Sequence, residues 1–352
     1  DVYKRQQLLP CRPGDESADG SISCKDVWPM NIVTRARAIL LGSIVLVFTS
    51  AIATAEPIEI AKLLASDGQQ ADLFGYDVAL SENTLMITAL NELNEYKGSV
   101  YVFTKDTDGN WTESTKLTAS DGAADDSFGS GVSLSGDMVV FGAPGDDDAG
   151  EGSGSAYVFI RNESGDWIEQ KKLVPGDGSA GDRFGLSVAL EGDILLVGSN
   201  GNDESGINAG AAYIFERDIN GNWNEQAKLL ASDGAADARF GFWVALSDDR
   251  ALLGSPTDDD GGYRSGSAYV FVRNPDGTWT EEAKLTPSDP SEDARFGNPV
   301  RLSGDTALIA SIHDDDNGPS SGSAYIFRRA ENGAWVEQIK LLPGDGDAND
   351  NF

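Results

Sequence analysis

The sequence repeats itself at a nearly constant spacing, and this feature constrains the fold more than any other. The dipeptide Phe-Gly begins at positions 74, 128, 184, 240 and 296, and a final Phe stands at 352, so one step of 54 residues is followed by four steps of 56. Self-similarity at such periods is typical of solenoids, propellers and other repeat arrays. Five units are complete, and a sixth stops within its motif.

Each unit predicts four β-strands, here named A, B, C and D. In the unit that begins near residue 228 they are Phe240–Ser247, Ala251–Ser255, Ser267–Arg273 and Thr278–Lys284. Strand B is apolar throughout, which indicates cover on both faces, whereas strand D mixes apolar and polar residues and is expected to meet solvent. This gradient predicts an all-β fold, a β-propeller built from four-stranded antiparallel blades. The alternative is a stacked solenoid, whose β-containing repeats usually run to only about 20–30 residues.

A resemblance to a known family rests on two motifs. Phe128-Gly129, followed by Gly142-Ala143-Pro144, resembles the FG-GAP repeat, the unit of the seven-bladed propeller in integrin α-subunits and in many secreted bacterial proteins. The resemblance covers residues 57–352, with repeats starting near 62, 116, 172, 228 and 284 and a sixth truncated from 340. It implies that the five complete repeats are a fragment of a seven-bladed propeller. We therefore expect an unsealed ring, with Ile58–Leu64 as an isolated D strand.

The N-terminal part carries the features of an exported protein. Residues 30–55 predict a secretory signal peptide: Met30 is followed by two arginines, a short apolar run and an Ala-x-Ala site that ends at Ala55. Residues 1–29 begin with DVYKRQ, which resembles a translated sequencing adapter, and we expect them to be a non-native upstream translation. Cleavage after Ala55 would leave residues 56–352 as a secreted, periplasmic or cell-surface protein without cysteine.

The charge of this protein is strongly negative. Residues 1–55 hold six basic and five acidic residues, so the remainder has a formal charge of about −33. Such a charge argues against nucleic acid and anionic membrane surfaces as partners. It favours cations or basic partners, or serves solubility alone.

Part of this charge is concentrated in the loops between strands B and C. In an antiparallel blade these B–C loops emerge on the same face as the D–A loops, which are also acidic, so we expect one acidic face. Carboxylates on glycine-rich loops are oxygen donors suited to calcium, the one candidate cofactor. The alternative is a solvated acidic rim. The candidate metal ligands are Asp146, Asp147, Asp148, Asp258, Asp259, Asp260, Asp314, Asp315 and Asp316.

The calcium site of the integrin repeats is not carried over. In integrins the loop between strands A and B holds a D-x-D-x-D-G motif. Here that loop is only Ser135-Gly136-Asp137 or Ser303-Gly304-Asp305, too short to surround an ion.

Residues that recur in every unit are expected to serve blade packing, so unit-specific residues are the better candidates for recognition. These are Trp243 and Arg301 in A strands, and Tyr263, Arg264, His313 and the segment 94–97 in B–C loops. No catalytic residue is predicted, because one histidine and no cysteine after Met30 leave neither a Ser-His-Asp nor a Cys-His arrangement to assemble. We expect a secreted, non-catalytic propeller for protein or carbohydrate binding or adhesion. The alternatives are a structural spacer in a longer secreted protein and a carbohydrate-active propeller enzyme, a glycosidase or lyase.

Overall fold

The computed structural model describes residues 61–91 and 95–352, and these form twenty β-strands. The strands build five four-stranded antiparallel sheets, one for each repeat, in the order A-B-C-D. The predicted β-propeller of four-stranded antiparallel blades is therefore confirmed. The upstream segment, the signal peptide and the residues before 61 lie outside the described part. Within the described ranges no helix is long and apolar enough to cross a membrane.

The blades are numbered 1 to 5 along the chain. Blade 1 consists of β1 (Phe74–Ser81), β2 (Thr84–Ala89), β3 (Ser99–Lys105) and β4 (Trp111–Leu117), and blade 2 of β5 (Val132–Ser135), β6 (Met138–Ala143), β7 (Ser155–Arg161) and β8 (Trp167–Leu173). Blade 3 consists of β9 (Phe184–Glu191), β10 (Ile194–Ser199), β11 (Ala211–Arg217) and β12 (Trp223–Leu229). Blade 4 consists of β13 (Trp243–Ser247), β14 (Arg250–Ser255), β15 (Ser267–Arg273) and β16 (Trp279–Leu285), and blade 5 of β17 (Phe296–Ser303), β18 (Thr306–Ser311), β19 (Ser323–Arg329) and β20 (Trp335–Leu341).

Strand A of blade 4 is shorter than predicted. It begins at Trp243 rather than at Phe240, because the amides of Gly241 and Phe242 both donate to the carbonyl of Gly254 and so form a turn before the ladder starts. The other three strands of this blade lie within one residue of their predicted bounds. Residues 61–64, the described part of the predicted isolated D strand, form no strand.

The core lies between the blades rather than within one sheet. Four apolar clusters each combine side chains from two neighbouring blades. In the cluster between blades 3 and 4, for example, Leu196 and Ile214 of one sheet meet Phe240 and Leu253 of the next, and all four are at most 1% exposed. In blades 2 to 5 the recurring Phe of Phe-Gly is the first residue of the blade that joins the layer shared with the preceding blade.

The two glycines of the family motifs meet across the blade junction. A Cβ atom on Gly198, the glycine of the Gly-Ala/Ser-Pro motif in blade 3, would lie 2.0 Å from the carbonyl oxygen of Gly241 in blade 4. The same approach occurs between Gly142 and Gly185. Both motifs are therefore explained by the close backbone contact that seats one blade on the next.

The outer faces of the first and last blades expose apolar side chains. Val78 of blade 1 is 55% exposed, whereas the equivalent valines in the other blades are at most 8% exposed. Leu308 of blade 5 is 41% exposed, whereas its four equivalents are fully buried. The burial of a propeller strand thus depends on a neighbouring blade, which these two faces lack within the described residues.

Candidate functional site

Tyrosines of strand C show that the B–C and D–A loops lie on one face, as the sequence predicts. The hydroxyl of Tyr157 donates to Asp121 in the D–A loop (2.8 Å) and lies 2.9 Å from Asp146 in the B–C loop. In blade 4 the hydroxyl of Tyr269 lies 2.8 Å from Asp233 and 2.9 Å from Asp258 in the same way. We call the surface formed by these two sets of loops the acidic face.

A lysine of strand D lies among the carboxylates of each of these clusters. In blade 2, Lys172 Nζ lies 2.8 Å from Asp121, 2.7 Å from Asp146 and 2.7 Å from Asp148. In blade 5, Lys340 Nζ is within 2.9 Å of its three aspartates, and blade 4 repeats the arrangement around Lys284. The lysine side chains are only 15–18% exposed, and each ammonium also lies over the ring of the strand-C tyrosine.

The three aspartates of each triplet have different roles. The first, represented by Asp146, is buried and accepts hydrogen bonds from the amide of Asp148 and the hydroxyl of Ser155. The second, Asp147, accepts the amide of Gly152 at 2.8 Å and so closes the loop on itself. The third, Asp148, is half-exposed and completes the contact with lysine. The predicted metal ligands are thus brought together only in part, since the middle aspartate of each triplet binds loop backbone.

Blade 3 varies the arrangement. Asn202 replaces the first aspartate, and its amide donates to Asp182 Oδ2 at 3.3 Å. Lys228 Nζ lies 2.7 Å from Asp177 and 2.6 Å from Glu204, which stands at the position of the third aspartate. Burial raises the pKa of Asp182, and the hydrogen bonds from Ser179 and Asn202 oppose that shift. The cluster in blade 3 therefore contains one carboxylate fewer around its lysine.

A second set of contacts fastens each D–A loop to the blade that it enters. Glu281 of strand D in blade 4 accepts both the amide and the hydroxyl of Ser232, at 2.9 Å each. The equivalent pairs are Ser66–Glu113, Ser120–Glu169, Gly176–Glu225 and Ser288–Glu337. The recurring Ser-Asp of the D–A loops and the Glu and Lys of strand D therefore hold each loop on the blade that it enters and are not free surface charges.

The contacts between the D–A aspartates and the strand-D lysines predict a small pH dependence of stability. Burial raises the pKa of Asp233, but hydrogen bonds from Lys284 and Tyr269 outweigh it, so the pKa lies below its usual value of about 3.9. A depressed carboxyl pKa contributes stability that is present above the unfolded-state pKa and is lost as the pH falls through the folded-state pKa. We expect Asp233→Asn to lower the free energy of unfolding by less than about 1 kcal/mol at neutral pH, because the carboxylate is 44% exposed.

The measurement is urea unfolding of both proteins between pH 7 and pH 3. The difference between them should shrink below about pH 4. A difference that stays constant or grows towards low pH would contradict the assignment.

Two of the unit-specific residues meet at the centre of the molecule. A cavity of about 290 Å³ is lined by the A strands of all five blades. Trp243 and Arg301 both line it, and the guanidinium lies 5.7 Å from the centre of the indole ring. Trp243 is the first residue of its strand and follows the D–A loop, so it lies at the end of the cavity nearest the acidic face. Asp77 also lines the cavity, and it accepts the amides of Val78 and Val132.

The other predicted recognition residues are spread over the B–C loops. Tyr263 is 57% exposed, with the guanidinium of Arg264 over its ring at 4.9 Å. Tyr96 is 45% exposed. Asn94, the first residue of the predicted segment 94–97, lies outside the described part. His313 Nδ1 lies 3.6 Å from Asp293 Oδ2.

Sequence reasoning missed both residues of each cluster: it assigned the tyrosine to packing and gave the lysine no role. A signal was present: the D–A aspartate and its lysine are 51 residues apart in blades 2 to 5. A constant long separation of opposite charges, close to the repeat length, indicates a contact between successive repeats.

Comparison with known proteins agrees with the fold. A sequence model of the FG-GAP repeat matches residues 58–103, 111–159, 167–215, 223–271 and 279–327, which together are more than half of the chain. No curated protein matches the sequence. A crystal structure of a protein from Lactobacillus plantarum is similar in fold, with a TM-score of 0.50 and 15% identity over 74% of this chain and 69% of that one. The last four matches each run from strand D of one blade to strand C of the next, so the sequence repeat is offset from the blade by one strand, and the chain belongs to the FG-GAP repeat family.

Proposed function

We propose that this protein is a secreted, non-catalytic β-propeller that binds a protein or carbohydrate ligand through its acidic face. One observation carries the proposal: recurring side chains are used in contacts within and between blades, whereas unit-specific aromatic and arginine side chains remain accessible at this face. Trp243, Tyr263 and Arg264 are the main examples. Conserved scaffolds that present variable loop residues are a common design for binding proteins.

The chemistry of the face limits the ligand. The charge of about −33 favours a basic or neutral partner over an anionic one. The axial cavity of about 290 Å³ is at the lower end of small-ligand sites, and its lining includes a flat indole and a planar guanidinium. Such groups offer apolar area together with hydrogen-bond donors, which suits a neutral or amino sugar.

The absence of a catalytic role is also part of the proposal. The histidine contacts Asp293, and no serine hydroxyl hydrogen-bonds to it within residues 61–91 and 95–352. The buried carboxylates of the acidic face are neutralised by lysine or bound to loop amides, so they are poorly suited to act as a catalytic acid and base. Calcium binding by the loops is not part of this proposal.

The test is a binding experiment with matched variants. Labelled protein is applied to an array of neutral, amino and uronic-acid glycans and to a panel of purified basic extracellular proteins. We expect saturable binding that Trp243→Ala or Tyr263→Ala weakens about tenfold, which corresponds to about 1.4 kcal/mol. Ile219→Ala is the control, because Ile219 is fully exposed in a C–D turn on the opposite face.

The alternative is a spacer within a longer secreted protein. A spacer predicts no saturable binding to either panel. Binding that Ile219→Ala weakens as much as the two acidic-face variants would place the ligand elsewhere and contradict the proposal.

A further inference from the structure

We infer that in each acidic cluster the strand-D lysine is the resident cation, and that the folded protein does not bind calcium at these aspartates. This inference concerns how the acidic face is neutralised and does not depend on which ligand the face binds.

The first argument is the position of the ammonium group. In blade 2 the carboxylates of Asp121, Asp146 and Asp148 offer oxygen atoms that lie within 4.8 Å of one another, close enough to share one cation. Lys172 Nζ lies 2.7–2.8 Å from an oxygen of all three. Calcium would need to approach the same oxygens to about 2.3–2.6 Å. Both cations cannot occupy this volume, so calcium would have to displace a side chain anchored in a strand.

The second argument is that too few ligands remain. Calcium takes about 6–8 oxygen ligands. The middle aspartates of the triplets are turned to loop amides: Asp147 to Gly152, Asp259 to Arg264 and Asp315 to Ser320. The first aspartate already accepts a loop amide through its second oxygen. Reorganising the loop for calcium would break these hydrogen bonds as well as the ion pairs.

The third argument is repetition. Blade 3 has Asn202 in place of the first aspartate, but Lys228 Nζ still lies 2.7 Å from Asp177 of the D–A loop and 2.6 Å from Glu204, which occupies the position of the third aspartate. The lysine therefore keeps its contacts with both loops where the carboxylate set is smaller, and the ammonium group remains paired, which is what stability requires of a largely buried charge.

The consequence is an acidic face that is already set without metal. Each lysine is attached to strand D and reaches an aspartate of the D–A loop entering the same blade, for example Lys284 and Asp233 at 2.7 Å. The loops should therefore keep their positions whatever the calcium concentration outside the cell.

The experiment measures melting temperatures of the wild-type protein in about 5 mM calcium chloride, in sodium chloride of matched ionic strength, and in chelator, together with calorimetric titration with calcium chloride. We expect equal melting temperatures in calcium and matched sodium chloride, and no binding heat. A specific rise in calcium, or a saturable binding isotherm, would overturn the inference, and this part needs no variant.

Two variants then test the lysine itself. Lys172→Met keeps the length of the side chain and removes its charge, so we expect the melting temperature in chelator to fall by roughly 5–10 °C, with part of the loss restored by calcium. Lys228→Met is the matched control: it should lose stability too, but calcium should restore little, because Asn202 leaves fewer carboxylates there. A melting temperature of Lys172→Met equal to that of the wild type, or equal calcium rescue of both variants, would show that lysine does not hold the place of a cation.

Discussion

Replacing Phe240 by alanine is expected to lower the free energy of unfolding by about 3–5 kcal/mol. The ring is 1% exposed and lies in the layer between blades 3 and 4. It packs edge-on against Tyr269, with ring centres 5.3 Å apart, and against Phe271 at 5.9 Å. Its removal leaves a cavity that side chains from two separate sheets would both have to fill. Urea unfolding measures the effect as a change in midpoint at constant slope.

Ile219→Ala is the control for this experiment, because the Ile219 side chain is fully exposed in a C–D turn. It should cost less than about 1 kcal/mol. Similar losses in both variants would contradict the view that the motif phenylalanine acts through the layer between blades.

The fold could be predicted from the sequence because each strand carries its own local pattern. Strands B, C and D of blade 4 were predicted within one residue, since apolar runs and turn residues mark their ends. The start of strand A was not, because Phe240-Gly241 forms a turn whose acceptor, the carbonyl of Gly254, belongs to the next strand. A hydrogen bond between two strands leaves no local trace in the sequence.

The candidate site was predicted less completely, and for a related reason. Strand alternation and loop composition correctly predicted that the aspartates lie on one face. The strand order A-B-C-D decides which loops share a face, and the loop composition shows that these loops are acidic. The identity of their cation did not follow, since Lys172 is 51 residues from Asp121 and was given no role, while Tyr157 was assigned to packing on the basis of its recurrence. Recurrence indicates that a residue serves every blade, but it does not distinguish an apolar contact from an ion pair.

Replacing Gly198 by alanine is expected to lower the free energy of unfolding by about 1–3 kcal/mol, towards the upper end of that range. The added Cβ atom would lie 2.0 Å from the carbonyl oxygen of Gly241 and 3.4 Å from the side chain of Val244, both in blade 4. Backbone atoms cannot rotate away as a side chain can, so the two blades would have to separate. Gly198 does not have a positive φ, so the effect would come from this contact and not from backbone strain.

Gly344→Ala provides the matched control, because Gly344 also lacks a positive φ and its Cβ atom would meet nothing within 4 Å. We expect it to be neutral or slightly stabilising, by up to about 1 kcal/mol. If the junction of blades 3 and 4 could widen without cost, Gly198→Ala would unfold at the same urea concentration as Gly344→Ala. That result would mean that the motif glycines are not required for close blade contact. A clear difference in the urea midpoint of the two variants would mean that blades 3 and 4 cannot move apart without cost. Their spacing would then be fixed by the rest of their shared layer, including Phe240.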